Sequence, residues 1–322
     1  MEKVVLLADP KSNAWDFTQK IQEYIKQEKK IDVPIDSVEI AEFRNRELRP
    51  RVPGNIRRKD IYFIHDSTKE PCRWWVELLL IKDLLLNSSA EKITFVLPDL
   101  LWSRQDRKDK PHVPISARAL AESLVYPSSI DRLISVDLHA DQIQGFYQSG
   151  LPFDSLHSFP SVVSFLKDKK PIGNLEKVVV VSPDAGGVKR AKTFARKLNS
   201  KYPIALIYKD RAEPGEIENM TLVGNVKGKD VFIIDDIIDS GNTQIEAAQL
   251  LLNHGAKKLY CYGTHGLFTK GIKELRKYFE LIMTSNTHYR EGNNIKVVDL
   301  SPLFAETIYR AQKGESISEL FE

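Results

Sequence analysis

The residues best placed to do chemistry stand in one run, VFIIDDIIDSGNT, from Val231 to Thr243. Two adjacent acids, Asp235 and Asp236, follow the apolar stretch Val231 to Ile234, and Asp239, Ser240, Gly241, Asn242 and Thr243 make a short polar loop. Neighbouring ionised carboxylates accept hydrogen bonds well from vicinal hydroxyls such as those of a ribose. A small-residue loop that opens a helix turns its backbone N–H groups toward an anion. These residue types in this order suit a sugar phosphate at the carboxyl end of a parallel sheet. An ordinary strand–turn–helix with a polar cap is the plainer reading, and the length of the thirteen-residue run argues against it.

Four other groups carry chemical side chains. Arg104, Gln105, Asp106, Arg107, Lys108, Asp109 and Lys110 follow a buried-strand pattern, KITFVLPDL, where α/β sheets bind ligands; a solvated surface loop is the alternative. His139 stands at a strand end beside Asp137 and Asp141, a place for a metal or phosphate contact or for a structural histidine. Asp184 lies in a loop with Gly186 and Gly187, which let a backbone approach a ligand closely. Lys209 and Arg211 sit in KDRAEPGEIENM and, by residue type alone, read as surface charge.

The elements that must position these groups alternate between strand and helix. Val4 to Leu7, Ile61 to Ile64, Ile93 to Val96 and Leu133 to Val136 read as buried strands; Trp15 to Gln27 and Trp74 to Leu86 read as helices, and Ser116 is expected to cap a third. Pro152 to Pro160 has no periodicity and reads as a crossing between domains. The second half repeats the alternation, from Lys177 through the acidic run to a last helix at Leu303 to Gln312. The expected class is α/β, with two similar domains, each a mostly parallel sheet flanked by helices. The expected boundaries are 1–155 and 156–302, with 303–322 packing back on the first domain.

Composition narrows the partners. With 47 basic and 44 acidic residues in 322, no nucleic-acid partner is implied. Cys72 and Cys261 fit no metal spacing, and a reducing cytoplasm is the simpler setting than a disulfide. The longest apolar run, VELLLIKDLLL from Val76, is interrupted by Lys82 and Asp83 and is too short to span a bilayer, so no membrane partner is expected.

RQDRKDKPHVPISAR, SVDLHADQIQGFY, VVSPDAGGVKRAK, the acidic run and the tail GESISELF together resemble the ribose-phosphate pyrophosphokinase family, from Val4 to Phe321 and in the family's order. The resemblance implies two phosphoribosyltransferase-type domains and transfer of diphosphate from MgATP to the 1-hydroxyl of ribose 5-phosphate. It implies that Arg104, Gln105 and Asp109 hold ATP, together with Phe43, Asn45 and Glu47 on a hairpin from a neighbouring subunit. It assigns Mg²⁺ or its water shell to His139 and Asp184, and catalysis to Lys209 and Arg211. Asp235 and Asp236 would take the ribose hydroxyls, and Asp239 to Thr243 the 5-phosphate. Arg57, Ser316 and Ser318 match a regulatory anion site. A homo-oligomer of dimers assembled into a hexamer, with inorganic phosphate and ADP as effectors, completes the implication.

The chain departs from the family pattern at several points. Arg46 and Arg58 stand where the family usually has glycine, two tryptophans enter at PCRWWVELLL, and the phosphate loop reads Ser-Gly-Asn-Thr with its glycine one place forward. A glycine with positive φ replaced by arginine is expected to carry strain. The other readings are a catalytically silent subunit associated with true synthetases and a phosphoribosyltransferase. The first would interrupt the catalytic loop; the second would need a nucleobase hood that the sequence does not offer.

Overall fold

A computed structural model describes residues 1–147, 150–210, 219–288 and 295–321. The chain divides into two compact units, Met1–His157 with Thr287–Tyr289 and Leu300–Glu322, and Ser158–Asn286 with Arg290–Asp299.

The first unit opens with β1 (Val4–Ala8), α1 (Ala14–Lys29), β2 (Ile35–Ser37), β3 (Glu39–Glu42), β4 (Leu48–Arg51) and β5 (Asp60–Ile64). It continues with α2 (Pro71–Asn87), β6 (Lys92–Val96), α3 (Ser116–Val125), β7 (Arg132–Val136) and β8 (Phe153–Leu156). Six strands form one parallel sheet in the order β2-β1-β5-β6-β7-β8. β1 and β5 are buried along their whole length, because helices cover both faces and no polar alternation is needed. In α2, Trp74, Leu78, Ile81 and Leu85 recur at helical spacing and are buried. Pro71 opens that helix, and the Glu70 carboxylate accepts from the N–H groups of Cys72 and Arg73 at 3.0 and 2.8 Å. β3 and β4 stand apart as a two-stranded antiparallel hairpin.

The second unit holds α4 (Phe159–Lys169), β9 (Val178–Ser182), α5 (Val188–Leu198), β10 (Ala205–Asp210), β11 (Asn219–Val223) and β12 (Asp230–Ile238). After these come α6 (Asn242–Asn253), β13 (Leu259–Gly266), β14 (Leu281–Ser285) and β15 (Lys296–Val298). The seven strands lie in the order β11-β10-β9-β12-β13-β14-β15, parallel except for β11 against β10. The last helix, α7 (Ser301–Lys313), belongs to the first unit: Phe304 meets Phe17 edge-on at 5.4 Å, and Glu306 pairs with Lys29 at 2.7 Å. Among the described residues, no helix is long and apolar enough to cross a membrane.

Four expectations need correction. The stretch read as a crossing contains an edge strand, β8, which aligns with β7 from Leu133↔Phe153 to Val136↔Leu156; its two-face alternation is too short to register as a pattern. Lys209 lies in β10, opposite Met220 of β11, and not in a loop. Asp235 and Asp236 lie within β12 and not at its end, since pairing with β13 runs on to Ile238 while pairing with β9 stops at Ile233. Ser116 is the first helical residue of α3 and not its cap; its hydroxyl donates to the Gln105 side-chain oxygen.

Candidate functional site

In the second unit, β12 carries its two acids past the end of β9, so they emerge at the carboxyl edge of the sheet beside the first turn of α5. Asp236 is buried, and its Oδ1 accepts from Arg190 Nη1 at 2.7 Å. Asp235 Oδ1 lies 4.0 Å from the same guanidinium and accepts the Asp236 N–H at 2.9 Å, while its Oδ2 accepts from Gln244 Nε2 at 2.9 Å. Burial, and then the neighbouring Asp236 carboxylate, pushes the Asp235 carboxyl well above its ordinary range; Arg190 opposes this. Asp236 thus faces a cation directly, and Asp235 is biased to keep a proton.

The loop that follows runs straight into a helix. Gly241 has φ 82° and is the N-cap of α6, and as a glycine it has no side chain with which to cap the helix. A Cβ at Gly241 would meet Leu275 Cδ1 at 3.0 Å, so both conformation and space call for glycine. Asp239 is fixed on the other side: Thr269 Oγ1 donates to its Oδ1, and the Thr269 N–H to its carbonyl, each at 2.9 Å. Ser240 Oγ faces the Asn242 N–H at 3.4 Å. The N–H groups of Thr243 and the residues after it open the helix, and its dipole favours negative charge there.

Asp184, also in this unit, is exposed, and its Oδ1 accepts the Gly187 N–H at 2.8 Å. The close approach expected at the two glycines is internal: a Cβ on Gly187 would sit 2.7 Å from Ser182 Oγ, and one on Gly186 would clear its surroundings. Of the predicted catalytic pair, Lys209 has a described backbone in β10, and Arg211 lies outside the described residues.

In the first unit, Arg104, Gln105 and Asp109 are exposed in the loop between β6 and α3. Gln105 is tied to α3 twice, through Ser116 Oγ and through its own carbonyl to the Ala117 N–H. Just before the arginine, Trp102 has φ 68°, an uncommon conformation for a bulky residue. His139 is exposed in the segment after β7. Phe43, Asn45 and Glu47 form the exposed turn of the β3–β4 hairpin, where the Phe43 N–H donates to the Glu47 carbonyl at 2.8 Å and Arg49 lies over the Phe43 ring. Arg46 at φ 74° and Arg58 at φ 56° both adopt left-handed backbone, so arginine occupies the glycine-favouring conformation at each departure from the family pattern. Arg57 is exposed in the segment before β5. Ser316 and Ser318 share a hydroxyl contact of 3.0 Å, and Arg310 donates to the Ser316 carbonyl at 2.6 Å.

Sequence reasoning missed Arg190 and Gln244. The signal was physical: two adjacent acids at a sheet edge demand a counter-charge, and the first turn of the helix leaving the neighbouring strand is the nearest place for one.

Residues 11–126 match the family model described as the N-terminal domain of ribose phosphate pyrophosphokinase, and residues 165–304 match that of the phosphoribosyl transferase domain. The chain is 38% identical to a ribose-phosphate pyrophosphokinase of Cereibacter sphaeroides over 90% of this chain and 87% of that one. It is 37% identical to one of Rhizobium meliloti over 91% and 94%. A crystal structure of phosphoribosylpyrophosphate synthetase from Mycobacterium smegmatis superposes with a TM-score of 0.84 at 30% identity, covering 97% of this chain and 99% of that one.

Proposed function

This chain belongs to the ribose-phosphate pyrophosphokinase family, and from that premise we propose that it is a ribose-phosphate diphosphokinase. It transfers the diphosphoryl group of MgATP to the 1-hydroxyl of ribose 5-phosphate, giving phosphoribosyl pyrophosphate and AMP. The observation that carries this reading is the pairing, in one unit, of two adjacent acids with a helix N-terminus whose N-cap is a glycine. A pentose with vicinal hydroxyls and a terminal phosphate matches both halves of that site.

The ribose hydroxyls replace water on Asp235 and Asp236, and the 5-phosphate takes the N–H groups and hydroxyls from Asp239 to Thr243. The 1-hydroxyl oxygen then bonds to the β-phosphorus of ATP as its proton passes to solvent, and the bond from the β-phosphorus to the bridging oxygen breaks, that oxygen and its electron pair leaving with AMP. Such transfers rest on positioning and on neutralising charge. Arg104, Gln105 and Asp109, with Phe43, Asn45 and Glu47, hold the nucleotide. A guanidinium can grip phosphate with two N–H groups or stack on the base. Lys209 and Arg211 neutralise the transferring group.

Mg²⁺, bound with ATP, supplies charge cancellation on the phosphates. His139 and Asp184 are the residues proposed to hold it or its waters. An exposed carboxylate with one oxygen already held by Gly187 suits a hard cation that keeps most of its water shell. The protein is proposed to work in the cytoplasm as dimers assembled into a hexamer, with phosphate and ADP acting through Arg57, Ser316 and Ser318.

The test is AMP release by purified protein given ribose 5-phosphate, ATP and Mg²⁺. Lys209→Ala is expected to lower kcat by about 10²-fold or more with little change in either KM. No release above background from an assembled oligomer would leave the catalytically silent subunit as the better reading.

A further inference from the structure

An unbroken series of opposite charges runs through the first unit to the turn of the β3–β4 hairpin. Asp9, just after β1, pairs with Lys69 at 3.1 Å, and Lys69 pairs with Glu77 at 2.7 Å. The other oxygen of Glu77 accepts from Arg73 Nε at 2.8 Å. Arg73 Nη1 reaches across to Glu42 Oε2, and Glu42 Oε1 lies 3.7 Å from Arg46 Nε in the hairpin turn. The side chains pass from buried to exposed toward the turn: 1% at Glu77, about a third at Arg73 and Glu42, and 88% at Arg46. The buried end is rigid, since Glu77 is held by two cations where solvent screening is weak. That end fixes Arg73, and Arg73 fixes Glu42.

The hairpin needs such a tether. A lone two-stranded sheet is marginally stable in water. Among the described residues, Ile40 in the hairpin and Val52 just after it pack against the core, while the turn from Phe43 to Glu47 is exposed. Arg73 can bridge because the two nitrogens of its planar fork reach different acceptors; a lysine has one nitrogen for both.

We propose that Arg73 and Glu42 are positioning residues that set where the hairpin presents Phe43, Asn45 and Glu47, and so govern nucleotide affinity. The proposal rests on the diphosphokinase reading. Neither residue touches substrate; both act through the turn.

Glu42→Gln cuts the tether on the hairpin side and leaves buried Glu77 paired. It is expected to raise KM for ATP about five-fold or more, with kcat and KM for ribose 5-phosphate within about two-fold and the melting temperature unchanged. Trypsin, which can cut after Arg44 and Arg46, is expected to cleave the turn faster in Glu42→Gln than in wild type. Arg73→Lys is expected to shift KM in the same direction, and the double variant no further than the larger single effect, because the two residues act as one link. An unchanged KM for ATP in Glu42→Gln, or a loss of kcat and melting temperature together without a KM effect, overturns the proposal. If wild-type protein releases no AMP, the diphosphokinase reading falls on its own, and equilibrium ATP binding by Glu42→Gln against wild type still decides this one.

Discussion

Asp235 pays for its position with an unfavourable charge, and the imbalance sets an expectation. Its folded-state carboxyl is raised above the ordinary 3.8 by burial and by Asp236. The folded chain therefore keeps a proton that the unfolded chain releases. The stabilisation from that proton is fully present below the unfolded value and is lost as pH rises through the folded one. Asp235→Asn removes the repulsion and keeps an acceptor for the Asp236 N–H, and Gln244 can rotate its amide to present an oxygen to the new donor. Near neutral pH the variant is expected to be more stable by on the order of 1 kcal/mol in denaturant melts. It is expected to bind ribose 5-phosphate about ten-fold more weakly or worse, because an amide is a poorer acceptor for a hydroxyl. A variant that is less stable than wild type would refute the electrostatic account.

The elements explain why this acid pair is available at all. β12 outruns β9, and the turn that follows is short enough to start α6 directly beyond the acids. Gly241 makes that turn possible. Gly241→Ala would force a Cβ into left-handed backbone and to 3.0 Å from Leu275, so it is expected to cost about 1–3 kcal/mol in thermal melts and to raise KM for ribose 5-phosphate by tilting the first turn of α6. A second buried contact between elements sets an ammonium against backbone carbonyls. Lys82 donates to the carbonyls of Ser123, Leu124 and Tyr126, capping the C-terminal end of α3 with a positive charge where the helix dipole favours one. Burial lowers its pKa, the cost of taking an ammonium out of water. The lysine that seemed only to break an apolar run on α2 therefore joins α2 to α3, together with the Trp75 indole N–H that donates to Ser123 Oγ at 2.9 Å.

A buried ring in the first unit sets an expectation for the behaviour of the whole molecule in acid. His65 is enclosed between strand and helix, stacked on Trp74, with Nε2 at 3.2 Å from the Trp74 carbonyl. Burial first, and then Lys69, push its pKa down to about 3. Glu77 at 3.7 Å does not offset this, because its charge is already matched by Lys69 and Arg73. The folded state keeps His65 neutral while the unfolded chain takes up a proton below 6.5. Stability is therefore lost as pH falls from the unfolded value toward the folded one, by about 1.4 kcal/mol per pH unit at most. Between pH 6.5 and 5 the loss should approach about 2 kcal/mol in denaturant titrations, and His65→Gln should flatten the slope. An equal slope in the variant would assign acid unfolding to other groups.

Much of this protein could be read along the chain. Continuous β-branched runs such as VVVVS and VFII announced parallel strands covered on both faces, and the order of acids, glycine and helix at Asp235 to Thr243 announced a strand, a tight turn and a helix start, because local backbone geometry and burial impose those residue choices directly. Arg46 and Arg58 were legible as departures, but their left-handed φ values were not, since side-chain type does not fix a conformation that tertiary context can enforce. β8 and the β10–β11 hairpin escaped notice because an edge strand of 4 residues shows little periodicity, and pairing partners are remote or concealed in charged sequence. The counter-charge on Asp236, the two carboxylates gathered on Arg73 and the three carbonyls gathered on Lys82 arise only when distant segments meet. A charge declares its type in sequence, but its partner is chosen by distance in three dimensions, and the energy of the pair by the burial that folding creates.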